Sequence, residues 1–346
     1  MSDIEKRKDE HLDVVLRGEA LATGSISGLD DIRLSHCALP ELNIENIDLS
    51  RSLFGKKLEA PILISSMTGG PQRSIALNKH IAEACATLGL AFGVGSQRIA
   101  LEGKSTAGLD RELRRIAPNA VIFANFGAAQ LQHWKGPDMA LRAVEMIDAD
   151  ALIIHLNPLQ EAVQAGGDTD WTGLLKKIAT VCRVSPFPVI CKEVGAGVSG
   201  AIARQLVDAG VAAIDVAGLG GTSWVAVEAA RSTDPKQRAI AAPFRDWGIP
   251  TAQAIAEARY ACPDAVIIAS GGVRNGLDCA RSVRLGADIA GLAAGVLSTA
   301  VESTEALVAQ LEIIIAQLRI ACFCTGSGNL AQLRASPLVN PPAYLR

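Results

Sequence analysis

Three observations predict an α/β fold, a (β/α)8 TIM barrel with an N-terminal arm and a long loop after strand six. From residue 60 onward, eight short runs rich in Val, Ile, Ala and Leu recur, each followed by a segment with helical periodicity. The runs are continuously apolar rather than alternating, as expected of parallel strands covered on both faces. No early Gly-x-Gly-x-x-Gly opens a first helix after a first strand, which argues against an open, doubly wound sheet.

In chain order the expected strands are 61–64 (PILI), 90–94 (LAFGV), 120–124 (AVIFA), 151–154 (ALII), 187–191 (FPVIC), 211–215 (VAAID), 265–269 (AVIIA) and 288–292 (DIAGL). Residues 1–58 are polar, carry the run RKDEH, and precede the first strand, so they read as an arm or cap. The barrel itself is expected over 59–335. The interval 218–250 between strands six and seven exceeds the usual connection and reads as a lid or binding loop. The run LEIIIAQLRIACFC should be the last barrel helix, and the Pro-rich tail 336–346 should be irregular.

Composition narrows the function classes. The 346 residues are 49% hydrophobic, enough to bury a large core, and the net charge of −3 offers no cationic stripe for a nucleic acid. The N-terminus lacks the apolar core of a secretory signal, and no stretch of about 20 consecutive apolar residues suggests a membrane span, so a cytoplasmic protein is expected. Eight scattered cysteines show no Cys-x-x-Cys and no zinc-like spacing, and read as reduced, buried apolar residues.

In such barrels the chemistry sits at the carboxyl ends of the strands. The loops after strands seven and eight, SGGVR (270–274) and GLAAG (291–295), are glycine-rich on adjacent strands. Their backbone amides at helix starts suit an anion, pointing to the phosphate of FMN or of a phosphorylated substrate. Tight turns are the competing use of such glycines. Lys192 ends a buried strand, where an ammonium must be paired, solvated or functional. A place beside a reduced flavin, a Schiff-base role and an ion pair with Glu193 are all open to it. Gln160 and Glu161 follow a proline turn, where an amide can position a small substrate and a carboxylate can hold Mg2+. Glu161 can equally be a solvated loop carboxylate. The cations Arg7, Lys8 and Arg98 can clamp a diphosphate, or, for Arg7 and Lys8, simply solvate the tail. The five histidines are at 11, 36, 80, 133 and 155, so strands five to eight supply no histidine base for hydroxy-acid oxidation.

The ordered set RKDEH (7–11), SMTGG (66–70), GVGSQR (93–98), HLNPLQE (155–161), KEVGAG (192–197), DVAGLGGTSW (215–224), DWGIPT (246–251) and SGGVRNGLD (270–278) resembles type 2, FMN-dependent isopentenyl-diphosphate isomerases over nearly the whole chain. The resemblance implies interconversion of isopentenyl and dimethylallyl diphosphate with reduced FMN, NADPH as reductant and Mg2+. It implies that Arg7, Lys8, Ser96, Gln97, Arg98, His155 and Asn157 hold the diphosphate, that Gln160 contacts the isoprene portion and that Glu161 binds Mg2+. Gln160, His155 and Lys192 become the expected catalytic residues. FMN would be held by Ser65, Ser66, Met67 and Thr68 after strand one, by Ser96, Asn125, Lys192 and Thr222, and by Gly271, Gly272, Val273, Ala293 and Ala294 at the phosphate end. A homo-tetramer or homo-octamer is also implied. Ala294 stands where the family often has arginine, which weakens the expected grip on the flavin.

Overall fold

The computed structural model describes residues 3–18, 20, 26–67, 72–103, 108–134 and 136–345, with only the backbone described at 3–9 and 72. Eight parallel strands close into a barrel: β1 (Ile62–Ile64), β2 (Ala91–Gly93), β3 (Val121–Gly127), β4 (Ala151–Leu156), β5 (Val189–Glu193), β6 (Ala213–Asp215), β7 (Val266–Ala269) and β8 (Ile289–Leu292). β8 returns to β1 with Ala290 opposite Ile62. All eight expected runs are therefore strands, with ends shifted by a few residues.

The continuous apolarity divides by alternation. Leu63, Ala91, Val121, Phe123, Ala151, Ile153, Ile190, Ala213, Ile268 and Ile289 form one buried cluster inside the barrel. Their neighbours, such as Ile62, Ile64, Phe92, Ile122, Leu152 and Ile154, belong to the larger cluster shared with the helices. A strand with both faces buried cannot show polar alternation, which is why each run reads as unbroken.

The hairpin Arg51–Leu53 and Lys56–Leu58 plugs the amino end of the barrel. Its two-residue turn has positive φ at Phe54 (50°) and Gly55 (81°), as a primed hairpin turn requires. Phe54 bears this unusual conformation while its ring packs edge-on against Phe123 at 6.1 Å. Leu53 and Leu58 are 2% and 1% exposed and join the inner cluster, each burial contributing about 1.5–3 kcal/mol. With this end plugged, the opposite end holds the cavity.

Five helices matter to the site: α1 (Asp3–Leu16), α2 (Pro158–Val163), α3 (Trp224–Arg231), α4 (Ala294–Glu302) and α5 (Thr304–Cys324). α1 and α2 both pack on α3 at the carboxyl end of the barrel. The interval 218–250 is thus largely helical, with further turns at Pro235–Ala241 and Ala242–Phe244. α5 is long and apolar enough to cross a membrane by composition, yet Leu307, Leu311, Ile314 and Leu318 form a stripe buried in the barrel's helical layer. It is the expected last wall helix, preceded by the short extra helix α4. The tail includes a 3-10 turn at Ala343–Leu345.

Candidate active site

The carboxyl ends of the strands surround a cavity of about 480 Å³, within the range of small-molecule sites. Its wall brings together most of the residues expected from the sequence. Ser65, Ser66 and Met67 line it from β1; Ser96 and Arg98 follow β2; Asn125 lies on β3. His155, Asn157, Gln160 and Glu161 come from β4 and α2, Lys192 from β5, and Thr222 from the loop after β6. Gly271, Gly272 and Val273 follow β7, and Ala293 and Ala294 follow β8. Thr68 and the side chains of Arg7 and Lys8 lie outside the described residues.

Gln97 does not reach the cavity wall. It is fully buried, its Oε1 accepts from the Asn125 amide at 2.8 Å, and its Nε2 donates to the Ala143 carbonyl at 2.9 Å. It braces the Asn125 backbone from behind, from the turn that opens the helix Arg98–Leu101.

Lys192 is 7% exposed and sits 3.0 Å from Asp215 Oδ2, with Nζ donating to Ser270 Oγ at 3.2 Å. The Ser270 hydroxyl donates to Asp215 Oδ1 at 2.6 Å, closing a triangle of strand ends from β5, β6 and β7. The ammonium's carboxylate partner is therefore Asp215, not Glu193. Glu193 points to the other face, where its Oε2 accepts from the amides of Val194 (2.6 Å), Gly195 (2.7 Å), Ala196 (2.5 Å) and Gly197 (3.2 Å). Burial pushes the Glu193 carboxyl up, against the pull of those amides and of Lys192.

His155 has a defined tautomer. Asn125 Nδ2 donates to the Val94 carbonyl at 3.1 Å, which turns Asn125 Oδ1 toward His155 Nδ1 at 2.9 Å. Oδ1 can only accept, so Nδ1 carries the proton and the neutral ring keeps Nε2 as an acceptor.

Gln160 is held from both sides. Its Oε1 accepts from Asn157 Nδ2 at 3.2 Å, and its Nε2 donates to Glu228 Oε1 at 2.9 Å. Glu228 Oε1 also accepts from His11 Nε2 at 3.0 Å, and Arg231 Nη1 donates to its Oε2 at 2.8 Å. Burial pushes the Glu228 carboxyl up, but the His11 hydrogen bond and charge, the Gln160 amide and Arg231 outweigh it and hold it at about 2. His11, Glu228, Asp215 and Ser270 were not among the site residues expected from sequence. His11, Asp215 and Ser270 lie inside the quoted motifs, and Asp215 ends a buried strand as Lys192 does. Glu228 carried no local signal.

Glu161 is 7% exposed; its Oε1 accepts from Asn157 Nδ2 at 2.9 Å, and its Oε2 from Gln164 Nε2 at 2.6 Å and the Asp168 amide at 2.8 Å. With two acceptor sites per oxygen, Oε1 keeps one free for a cation. Among the described residues no group of three or more His, Cys, Asp or Glu forms a metal cage. This donor set fits an ion completed by ligand oxygens and water.

The residues also fit a flavin phosphate. The hydroxyls of Ser65 and Ser66 are buried without a partner at the cavity wall, a state costing about 1–3 kcal/mol each unless a polar ligand edge meets them. Gly271 (φ 101°) and Gly272 (φ 78°) adopt left-handed conformations, and a Cβ on either would strike the carbonyl of Gly218 or Gly220. Only glycine fits this loop, which runs beside the start of α4, where the Val296 amide donates to the Ala293 carbonyl and the amides of Ala294 and Gly295, the first two of the helix, have no acceptor within it.

Residues 120–340 match the FMN-dependent dehydrogenase family. The chain is 58% identical over 333 residues to the isopentenyl-diphosphate delta-isomerase of Stutzerimonas stutzeri, covering 96% of each chain. It is 56% identical to that of Xanthobacter autotrophicus over 96% of this chain and 97% of the relative. The chain belongs to the type 2 isopentenyl-diphosphate delta-isomerases. Solved structures of mandelate oxidase share the fold at low identity. One bound to (S)-2-phenylpropionate superposes with a TM-score of 0.68 at 16% identity, covering 97% of both chains. Another, with benzoyl-formic acid, gives 0.66 at 15% over 97% of both chains. The isomerase family and these oxidases therefore share a barrel, while this chain's β5 to β8 ends bear no histidine.

Proposed function

We infer that this protein interconverts isopentenyl diphosphate and dimethylallyl diphosphate by moving a proton along the allyl unit, with no net redox change. The observation that carries the reading is the Gln160 clamp. A neutral amide is fixed on both sides and presented to the cavity, next to a carboxylate with one free acceptor site and opposite a glycine-lined anion cradle. Bound FMN, in its reduced form, supplies an electron-rich ring able to exchange a proton and to stabilise positive charge on the isoprene unit.

The chain's own residues do the rest. Lys192, neutralised by Asp215, presents a fixed ammonium edge to the flavin side of the cavity. Asn157, Ser96 and Arg98 offer polar contacts to the diphosphate, and His155, its Nδ1 proton held by Asn125, joins them as an imidazolium that donates from Nε2. Gln160 orients the isoprene portion, and Glu161 holds Mg2+ jointly with diphosphate oxygens. Arg7 and Lys8, in the N-terminal arm, complete the proposed diphosphate clamp. Because turnover consumes no electrons, NADPH is needed only to bring the flavin to its reduced state. The same reading places a homo-tetramer or homo-octamer in the cytoplasm. The exposed Phe244 and Trp247, with ring centroids 6.0 Å apart, support the oligomer.

The test is anaerobic turnover of isopentenyl diphosphate with FMN oxidised or reduced, each with Mg2+ or with EDTA. Dimethylallyl product only in the reduced, Mg2+-containing sample is expected. Product with oxidised flavin, or lasting flavin reduction driven by a hydroxy acid, would overturn the reading.

A further inference from the structure

Arg98 reaches the cavity already carrying counter-charges. It opens the short helix Arg98–Leu101 after β2, and its Nε donates to Glu102 Oε1 at 3.0 Å. Its Nη1 lies 3.6 Å from Asp168 Oδ2. The first contact is a hydrogen bond within one helical turn and aims the guanidinium. The second is an ion pair too long for a hydrogen bond, between side chains 30% and 24% exposed.

Asp168 is set in place by a loop built around it. Its own amide donates to Glu161 Oε2 at 2.8 Å, and its carbonyl accepts from Trp171 Nε1 at 2.9 Å. Gln132 Nε2 donates to the carbonyls of Asp170 (3.2 Å) and Thr172 (2.8 Å), fixing the loop from the β3 side. The other carboxylate oxygen of Asp168 faces His133 Nε2 at 2.9 Å. Three connections, after β2, β3 and β4, therefore converge on this one carboxylate, beside the residue assigned to Mg2+.

We propose that Asp168 is a displaceable counter-ion for Arg98 and so sets the affinity of the site for diphosphate. In the absence of substrate it shares the guanidinium with Glu102. When a diphosphate arrives, Asp168 yields Arg98 and stays anchored by His133 and by its backbone bond to Glu161. Substrate and product carry the same diphosphate, so an over-tight clamp would slow release, and an acidic neighbour counteracts it. Asp168 is thus a positioning residue acting through Arg98. The inference rests on Arg98 being a diphosphate ligand, the reading given above.

The experiment is calorimetric titration of the FMN-loaded protein with inorganic pyrophosphate, in EDTA and in Mg2+, alongside steady-state kinetics with isopentenyl diphosphate. Asp168→Asn keeps the loop's backbone bonds and the side chain's shape, removes the charge, and leaves one acceptor oxygen for His133. It is expected to bind pyrophosphate about two- to fivefold more tightly in EDTA, the range for an exposed ion pair. The gain should shrink as salt rises, and KM should fall with kcat unchanged or lower. Asp168→Glu should restore wild-type affinity, and Arg98→Gln should abolish the effect of Asp168→Asn. Equal or weaker pyrophosphate binding by Asp168→Asn in EDTA would overturn the proposal, as would tightening that persists with Arg98→Gln. Weakening confined to Mg2+ would make Asp168 a metal ligand and overturn it as well. Pyrophosphate binding is read without turnover. Tightening without isomerase activity would therefore sink the functional reading and leave the role of Asp168 standing.

Discussion

Replacing Glu228 by glutamine should unlatch the N-terminal helix from the site. Glu228 gathers His11 from α1, Gln160 from α2 and Arg231 from its own helix. Arg231 in turn reaches Glu10 Oε2 at 3.0 Å, so one carboxylate anchors two of the polar ties that hold α1. The descent of the carboxyl from the ordinary 4.5 to about 2 fixes the size of the effect. A folded-state value below the unfolded one stabilises the protein above about pH 4.5, and that stability is lost as pH falls through 2. The full difference corresponds to about 3 kcal/mol. Glutamine keeps the shape and one acceptor but leaves Arg231, 16% exposed, without its inner counter-charge. A loss of about 2–3 kcal/mol at neutral pH is expected. Urea denaturation at pH 7 and pH 3, with hydrogen exchange of the α1 amides, reads both parts. The variant should be less stable at pH 7, with faster exchange in α1, and the gap should narrow at pH 3. Coincident denaturation curves at pH 7 together with unchanged α1 protection would refute the latch.

Three further outcomes follow from the site. Gln160→Ala should lower kcat about 100-fold with little change in KM, since the amide orients the reacting unit rather than the diphosphate; steady-state kinetics separates the two. Asp215→Asn strands the buried Lys192 ammonium and should cost about 3 kcal/mol, measured by chemical denaturation, and weaken FMN retention on gel filtration. Ala294→Arg adds a guanidinium at the start of α4 and should tighten FMN about fivefold in fluorescence titration, an effect reduced by salt.

The barrel was legible because each strand is buried on both faces, leaving runs that periodicity alone could find. The plug was not. Its strands, Arg51–Leu53 and Lys56–Leu58, are three residues each, and their inward Leu53 and Leu58 have meaning only once a barrel mouth exists. Local backbone geometry also explains two site details. Ser96 and Arg98 face the cavity while Gln97, in the turn that opens the helix Arg98–Leu101, is directed behind it. Lys192 and Glu193, adjacent on β5, point to opposite faces, so the lysine's partner is the residue beside it in register on the next strand, Asp215. Reading registers, rather than neighbours in sequence, would have found that pair. Glu228 could not be found that way, since His11 and Gln160 lie 217 and 68 residues from it.

The most direct measurement of the central claim is NMR of isopentenyl diphosphate turned over anaerobically in heavy water with FMN and Mg2+. With the flavin reduced, dimethylallyl diphosphate should accumulate with solvent deuterium on carbon and the flavin should end in the state in which it began. Isomerisation without deuterium entering either isomer, or turnover that tracks stoichiometric oxidation of the flavin, would contradict a proton-moving, redox-neutral site.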